Sequence, residues 1–591
     1  VTGVQTCALP IFGSHKDLLP YLVRRLLENG ANSSFINRLL DPETDSAWLA
    51  ENPYERLKKE TKDIPVPKKI FFDRENSSGK DISEIENLED LKSKIDNFSG
   101  LKVDAESIYA GRLDTNNTEE KAFSISNKCE IGTITLDDPI QIKKALEKDT
   151  LDEWKEIEVN ERAKILNLIA DDLENNPYEL IYFLINEAGK TIQNAIDEIR
   201  EAVDFLRYYS SRSIELFNNT ELNGPTGEDN QMSFTPKGTF LCISPWNFPV
   251  AILIGQISAA LSCGNRVIVK PSEYSSILGY LVVKKFHDHG VPISALSLIL
   301  GDGLYGDFLT KISPLHGVAF TGSLPTAKKI QANIIDNQNQ IIPLIAETGG
   351  INTMIVDSSA LLEQVTDDVV RSAFDSAGQR CSALRVLCVQ EEIYDDLKDM
   401  IIGNMQIQTV GDPNFFDTDI GPIINYKAYK KLTSYISLCS EKGYKIHQPN
   451  QKVSDMHIAP TLIEINSISN ITEEQFGPIL HILKYSSNEI DELINQINKS
   501  EYGLTMGIHS RIEARADYMS SRSNVGNIYI NRDMVGAVVG SQPFGGIGLS
   551  GSGFKAGGPN YLLQFVNEKV VSKNSVAFGG NTELLNIQED L

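Results

Sequence analysis

From Thr239 onward the chain alternates short apolar runs with longer helical patterns. "TFLCIS" (239–244) reads as a strand, 249–262 as a helix, "RVIVK" (266–270) as a strand, 275–289 as a helix and "LSLIL" (296–300) as a strand. After a further short helix come "GVAF" (317–320), a helix over 325–337 and "PLIAE" (343–347). Strands alternating with helices require right-handed crossovers and predict a mostly parallel sheet. Such sheets take ligands beyond the carboxyl ends of their strands, and "SPWNFP", "KPSE", "GDGLYG" and "TGS" lie at those ends. The pattern therefore predicts a nucleotide-type cleft.

Ahead of this stretch the pattern is helical. "DLLPYLVRRLLENGA" forms an amphipathic helix stopped at Gly30, inside a polar helical region over 16–60. Residues 73–100 are charged and poor in apolar side chains, so they read as linker or surface helix. Two long helical patterns span 140–176 and 177–213. The opening "VTGVQTCALPIF" has no charged segment before its apolar residues, so it is no signal peptide. It resembles a translated sequencing adapter, and residues 1–12 are set apart as a non-native leader.

Composition narrows the class. A chain of 591 residues with 41% hydrophobic and 23% charged residues can bury a core. The net charge of −25 argues against binding nucleic acid or an anionic membrane through the overall field. Seven scattered cysteines make no disulfide framework and point to a reducing, cytoplasmic setting. The longest apolar stretch, 248–264, is interrupted by Gly255, Gln256 and Ser258 and reads as a buried helix rather than a membrane span.

The candidate chemistry sits in the loops, and each motif carries a plainer alternative. "GDGLYG" (301–306) fits a dinucleotide fingerprint, but no acid follows about 20 residues on, so it reads first as a Gly-rich turn near the cofactor. In "KPSE", Lys270 and Glu273 suit ribose hydroxyls, and a carboxylate there disfavours a 2′-phosphate; a helix-capping turn through Ser272 is the alternative. Asn247, between two prolines, is either an oxyanion donor or an Asx turn. Glu347, before a Gly-Gly pair, is a general base or a salt-bridged strand end. Cys242, Cys263 and Cys388 lie in apolar runs and read as inert. Cys381, in "SAGQRCS" beside Arg380, has small polar neighbours and reads as a nucleophile in an electropositive setting or as filler.

Taken in order, "SPWNFP", "VKPSE", "FTGS", "AETGG", "GQRCSA", "EEQFGP" and "PFGG" resemble the aldehyde dehydrogenase superfamily over roughly residues 100–575. The interval from Glu347 to Cys381 is the one that family keeps between base and nucleophile. Residues 346–390 and 535–565 resemble, more narrowly, the aldehyde dehydrogenase half of the bifunctional proline utilization A enzymes. Residues 13–38 are similar to the last helix of that family's proline dehydrogenase barrel, where Arg24 and Arg25 match proline-carboxylate ligands. The barrel itself is not in this sequence, and the chain reads as truncated at both ends.

The resemblance implies an α/β fold of the aldehyde dehydrogenase type. A Rossmann-like NAD-binding domain would take residues 101–220 and 241–347, and a catalytic domain 348–552. An oligomerisation flap would take 221–240 and 558–575, after a barrel remnant at 13–60 and a linker at 61–100, with a tail at 576–591. It implies Cys381 as nucleophile, Glu347 as base and Asn247 as oxyanion donor. NAD would be held by Ile243, Pro245, Trp246, Lys270, Ser272, Glu273, Gly303, Thr321, Gly322, Ser323, Gly349, Glu474 and Phe476. Arg380, Ser382, Gly536 and Ala537 would grip the substrate, with no metal. The implied reaction is NAD-dependent oxidation of L-glutamate γ-semialdehyde, the open form of 1-pyrroline-5-carboxylate, to glutamate. The implied partners are copies of the same chain and the absent proline dehydrogenase domain. A CoA-acylating dehydrogenase is the alternative enzyme, disfavoured because CoA would make a water-activating Glu347 unnecessary. A non-catalytic scaffold is the alternative outside enzymes, disfavoured because Cys381, Glu347 and Asn247 are all present.

Overall fold

The computed structural model describes residue 52 and residues 65–578, other than 81, 83, 114–116, 149–152, 452 and 537. The expectations for the leader, the helix ending at Gly30, Arg24, Arg25, Ala537 and the tail beyond 578 lie outside the described residues. The chain divides into two compact units, Val1–Val66 and Pro67–Leu591, and the second carries the elements that follow.

Within the charged 73–100 stretch a helix spans Ile85–Asp96. Strands β1 (Val103–Glu106), β2 (Thr118–Phe123) and β3 (Glu130–Leu136) then form a small sheet ordered β1-β3-β2. The two long helical patterns come out as four helices: Pro139–Lys148, α1 (Val159–Asn175), Tyr178–Asn186 and α2 (Ile192–Leu216). The physical causes are local. Trp154 is drawn fully into the core, where its indole N–H donates to the Leu261 carbonyl at 2.8 Å. Gly189 takes a left-handed turn at φ +70°, and Thr191 caps α2 by accepting from the Asn194 N–H.

A β-flap follows. Strands β4 (Thr220–Leu222) and β5 (Glu228–Pro236) join the final strand of the chain in an antiparallel sheet, with Pro236 opposite Val566 and Glu228 opposite Asn574.

The alternating stretch then builds β6 (Thr239–Ile243), α3 (Ala251–Ser262), β7 (Arg266–Lys270), α4 (Ser276–Asp288), β8 (Leu296–Leu298), α5 (Gly303–Leu309), β9 (Gly317–Thr321), α6 (Leu324–Asn337) and β10 (Leu344–Glu347). All five strands are parallel, in the order β10-β9-β6-β7-β8. Every residue of β7 and β8 is buried, as expected of strands covered by helices on both faces, which explains their unbroken apolar runs. The chain runs outward from β6 on one side and returns to its other side at β9. The crevice of the sheet therefore opens at the carboxyl ends of β6 and β9.

Beyond β10 a second sheet begins at once. It contains β11 (Thr353–Val356), β12 (Val386–Gln390), β13 (Ile446–His447), β14 (Thr461–Glu464), β15 (Ile479–Tyr485), β17 (Thr505–His509) and β18 (Asn527–Ile530). The order is β13-β14-β15-β12-β11-β17-β18, parallel except for β13, with α7 (Leu362–Phe374) crossing from β11 to β12. Two short strands, β16 (Tyr502–Gly503) and β19 (Ile547–Gly548), pair separately, and β20 (Val566–Asn574) completes the flap. Glu347 ends the first sheet and Thr353 starts the second, so the carboxyl edge of one meets the amino edge of the other. The loop carrying Cys381 precedes β12 and faces the same gap.

Among the described residues no helix is long and apolar enough to cross a membrane.

Candidate active site

The Cys381 loop is shaped by backbone that most sequences avoid. After α7, Ser376, Ala377 and Gly378 all take left-handed conformations, at φ 53°, 55° and 63°. For two non-glycine residues this costs of order 1–3 kcal/mol each, so surrounding contacts must hold it. Asn352 supplies two of them: its amide N–H donates to the carbonyls of Cys381 at 2.6 Å and Ala383 at 2.9 Å, while its oxygen accepts from the Thr505 N–H at 3.2 Å. Arg385, 1% exposed, supplies more, donating to the carbonyls of Gly378, Arg380 and Gly477 and pairing with Glu474 at 3.1 Å. Gly378 has no room for a side chain, because a methyl group there would overlap the Gly477 carbonyl.

Cys381 is half-buried and lines a partly enclosed cavity. Glu347, Thr348, Thr321 and Gln256 form its polar wall on the side of the first sheet. Helix α2 contributes Glu201, Phe205 and Tyr209, one helical turn apart, and Phe248, Phe544 and Tyr561 add apolar surface. Ser382 and Gly536 line it beside the thiol.

The electrostatics invert one expectation. Cys381 sits among carboxylates rather than cations: burial pushes its thiol up to about 12, and Glu474, Glu347 and Glu201 add to the shift. Arg380 is not the source of an electropositive setting, because its guanidinium is committed to Asp375 at 2.9 Å and to the Asn194 oxygen at 2.9 Å. Burial raises Glu347 to about 8, opposed by the Gly546 N–H, which donates to its carboxylate at 2.9 Å. A salt-bridged strand end would show the opposite shift. Burial likewise raises Glu201 to about 7, with Glu198 adding and Lys190 and Arg380 opposing. Cys242 and Cys388 are buried and raised by desolvation alone, and Cys263 is buried and raised chiefly by desolvation, as inert thiols should be.

Asn247 is neither a free donor nor an Asx turn: its amide donates to the Gln379 carbonyl at 3.1 Å, which ties the "SPWNFP" loop to the cysteine loop and leaves one amide hydrogen. That loop is braced from behind. Glu198 accepts from the N–H groups of Val250 and Ala251 at 2.7 and 3.2 Å, and pairs with buried Lys190 at 2.8 Å, whose ammonium lies 4.2 Å from the Phe248 ring centre.

The residues expected to hold a nicotinamide dinucleotide cluster along the crevice, and their chemistry fits one. Lys270, 4% exposed at the end of β7, has among the described residues the Pro271 carbonyl at 2.9 Å and the Glu273 carboxylate at 4.0 Å. A buried ammonium so sparsely partnered suits hydroxyl acceptors such as ribose. The Ser244 hydroxyl, at the carboxyl end of β6, and the Gln256 side-chain oxygen are buried without partners among the described residues. Ile243 and Pro245 flank Ser244, and Trp246 meets Phe476 edge to face at 5.7 Å. A side chain at Gly349 would overlap the Glu474 carboxylate, which keeps backbone and acid in close approach.

The turn after β9 is tied to the strand end that carries Glu347. Ser323 caps α6 through the Thr326 N–H, Thr321 accepts from Gln256 at 3.2 Å, and the Gly322 N–H is spent on the Glu347 carbonyl at 3.0 Å. At "GDGLYG", α5 opens at Gly303, and the Asp302 carboxylate accepts from the Leu304 N–H, so an acid already occupies that helix start. Ser272 does cap a 3-10 turn, while Glu273 stays exposed at the rim.

Of the substrate residues, Ser382 and Gly536 reach the cavity, and Arg380 does not line it. Sequence reading missed Glu201, Gln256, Asn352, Arg385 and Glu198. The spacing of Glu201, Phe205 and Tyr209 on one face of a helix was the only signal for the first.

Comparison with known proteins agrees with this geometry. The model of the aldehyde dehydrogenase family matches residues 114–571, and that of proline dehydrogenase matches residues 3–38. The bifunctional protein PutA of Escherichia coli (strain K12) is 41% identical over 95% of this chain, which spans 44% of that protein's length. The 1-pyrroline-5-carboxylate dehydrogenase of Oceanobacillus iheyensis is 32% identical over 82% of this chain and 95% of its own. The crystal structure of a mutant of Bradyrhizobium japonicum proline utilization A superposes with a TM-score of 0.85 at 40% identity, covering 96% of this chain and 56% of that one. With the family model spanning most of its length, and a thiol, a raised carboxyl and a crevice meeting on one cavity, the chain belongs to the aldehyde dehydrogenase family.

Proposed function

We propose that this chain oxidises L-glutamate γ-semialdehyde to L-glutamate with NAD, by way of a thioester on Cys381. The observation that carries the reading is one cavity lined by a thiol, a carboxyl raised to about 8 and a second acid, Glu201. The names of the relatives in proline utilization and 1-pyrroline-5-carboxylate oxidation support the same substrate.

The chemistry follows from the side chains. Burial and three nearby carboxylates favour the protonated thiol, so the thiolate that attacks the aldehyde forms as Cys381 gives up its proton to solvent. The sulfur bonds to the carbonyl carbon, and the remaining Asn247 hydrogen and the Cys381 N–H receive the oxyanion. When bound, the dinucleotide supplies the hydride acceptor; Lys270, Glu273, Ser323, Glu474 and Phe476 would hold it. Oxidation at the thiohemiacetal carbon leaves a thioester. Glu347 then takes a proton from water, which adds to the thioester carbon and expels the sulfur as the acid forms. The exposed Glu273 repels a 2′-phosphate and favours NAD over NADP.

Glu201 gives the substrate its direction. A carboxyl in the cavity wall suits the α-ammonium of glutamate semialdehyde, while the Gly536 N–H and the Ser382 hydroxyl suit its α-carboxylate. Succinate semialdehyde offers no ammonium and would set a carboxylate in a site already rich in acids. NADH formation should therefore favour glutamate semialdehyde over succinate semialdehyde and simple aliphatic aldehydes in kcat/KM. Equal rates with all three would overturn the substrate assignment, and acyl-CoA as main product when CoA is added would overturn hydrolysis.

A further inference from the structure

The start of the charged 73–100 stretch, which composition alone reads as linker or surface helix, is folded together with Phe71 against the wall of the catalytic cavity. Helix α2 has two working faces side by side. Glu201, Phe205 and Tyr209 look into the cavity. The adjacent face, Asp204, Arg207 and Tyr208, is covered by residues 71–78. The Ser77 N–H and hydroxyl donate to Asp204 at 2.7 and 2.9 Å, Arg207 donates to the Asn76 carbonyl at 3.5 Å, and the Ser78 N–H donates to Glu174 of α1 at 2.7 Å. Arg74, with its side chain 5% exposed, lies between the Phe71 and Tyr208 rings, 3.7 and 4.8 Å from their centres. It has an ion pair with Asp73 at 3.2 Å, and its guanidinium donates to the Val539 carbonyl at 3.0 Å.

Val539 belongs to the loop that carries Gly536. The near end of that loop is tied by Met534, whose N–H donates to the Ser372 hydroxyl, and by the Tyr529 hydroxyl, which donates to the Gly536 carbonyl. At the far end, the Gly540 N–H donates to the Gly557 carbonyl at 2.8 Å, and the Gly557 N–H in turn donates to the Tyr209 hydroxyl at 2.8 Å. A side chain at Gly540 would strike the Arg74 guanidinium, so loop and arginine fit as a matched pair.

We propose that residues 71–78 form a strap, and that Arg74 is a positioning residue that fixes the distance between the Gly536 loop and the Glu201 face of α2. The inference rests on the substrate reading above. A substrate gripped at both ends, by an acid on α2 and by backbone on the loop, depends on that distance. A simple aldehyde, which touches only the thiol and the oxyanion donors, does not.

The test is steady-state kinetics of the full chain carrying Arg74→Ala, Arg74→Lys and, independently, Gly540→Ala, with NAD affinity and melting temperature measured alongside. Arg74→Ala should raise KM for glutamate semialdehyde roughly tenfold, the usual consequence of losing one charge-assisted hydrogen bond. Its kcat should change little, as should kcat/KM for propanal. Arg74→Lys should recover part of the loss, and Gly540→Ala, which also strains a backbone at φ +83°, should reproduce it by crowding the pair from the other side. Parallel losses on both aldehydes, or an unchanged KM for glutamate semialdehyde in stable variants, would overturn the strap. If the unaltered chain itself fails to oxidise glutamate semialdehyde, the substrate reading falls instead.

Discussion

At the scale of single residues, the site works by withholding protons and then moving them. Cys381 and Glu347 are both held toward their neutral forms by burial, and each carboxylate near the thiol makes its ionisation harder. Glu347 must be ionised to accept a proton, and its group is raised to about 8. Activity limited by thioester hydrolysis should therefore climb as pH rises through about 8 and fall away below it. A pH profile of kcat checks this: Glu347→Gln should flatten that limb, and an unchanged limb in the variant would assign it to another group. The nucleophile role of Cys381 rests on the family motifs, since its small polar neighbours leave filler equally open, and the electropositive setting expected around it is absent. An adjacent arginine in sequence says nothing of where the guanidinium points, and Arg380 points to Asp375 and Asn194.

At the scale of elements, the alternating stretch from 239 to 347 was legible because buried parallel strands are short unbroken apolar runs between helices. Strand β7 coincides with "RVIVK", and α4 lies within a residue of its predicted ends at both sides. The helical patterns over 140–213 were read too long, since an amphipathic period does not reveal a tryptophan that pulls a turn into the core or a glycine that turns the chain. The cysteine loop was legible only as small and polar. Its left-handed residues depend on Asn352 and Arg385, which arrive from other parts of the chain. Asn352→Ala would leave the carbonyls of Cys381 and Ala383 without their donor, at about 1–3 kcal/mol each. The expected result is a kcat lowered roughly tenfold to a hundredfold through misplacement of the sulfur, with NAD affinity retained. Slower alkylation of Cys381 in the same variant would accompany it, and wild-type kcat would remove the role.

At the scale of the whole molecule, a parallel sheet and a mostly parallel one meet end to end, the carboxyl edge of one facing the amino edge of the other. That meeting places Glu347, at the end of β10, and the loop before β12 on one cavity, although no local pattern links them. The family motifs named both residues in advance; the geometry supplies the physical reason, and it adds Glu201 from a helix far earlier in the chain. The strap shows the opposite case, a segment whose composition suggests mere connection and whose contacts bind α2 to the Gly536 loop. The most direct test of the central claim is intact-mass and peptide mapping of Glu347→Gln after rapid mixing with NAD and glutamate semialdehyde, with Cys381→Ala as control. The account predicts a burst of NADH matched by one acyl group on the Cys381 peptide, absent from the control. NADH formed with no acyl group on Cys381, or undiminished turnover by Cys381→Ala, would contradict it.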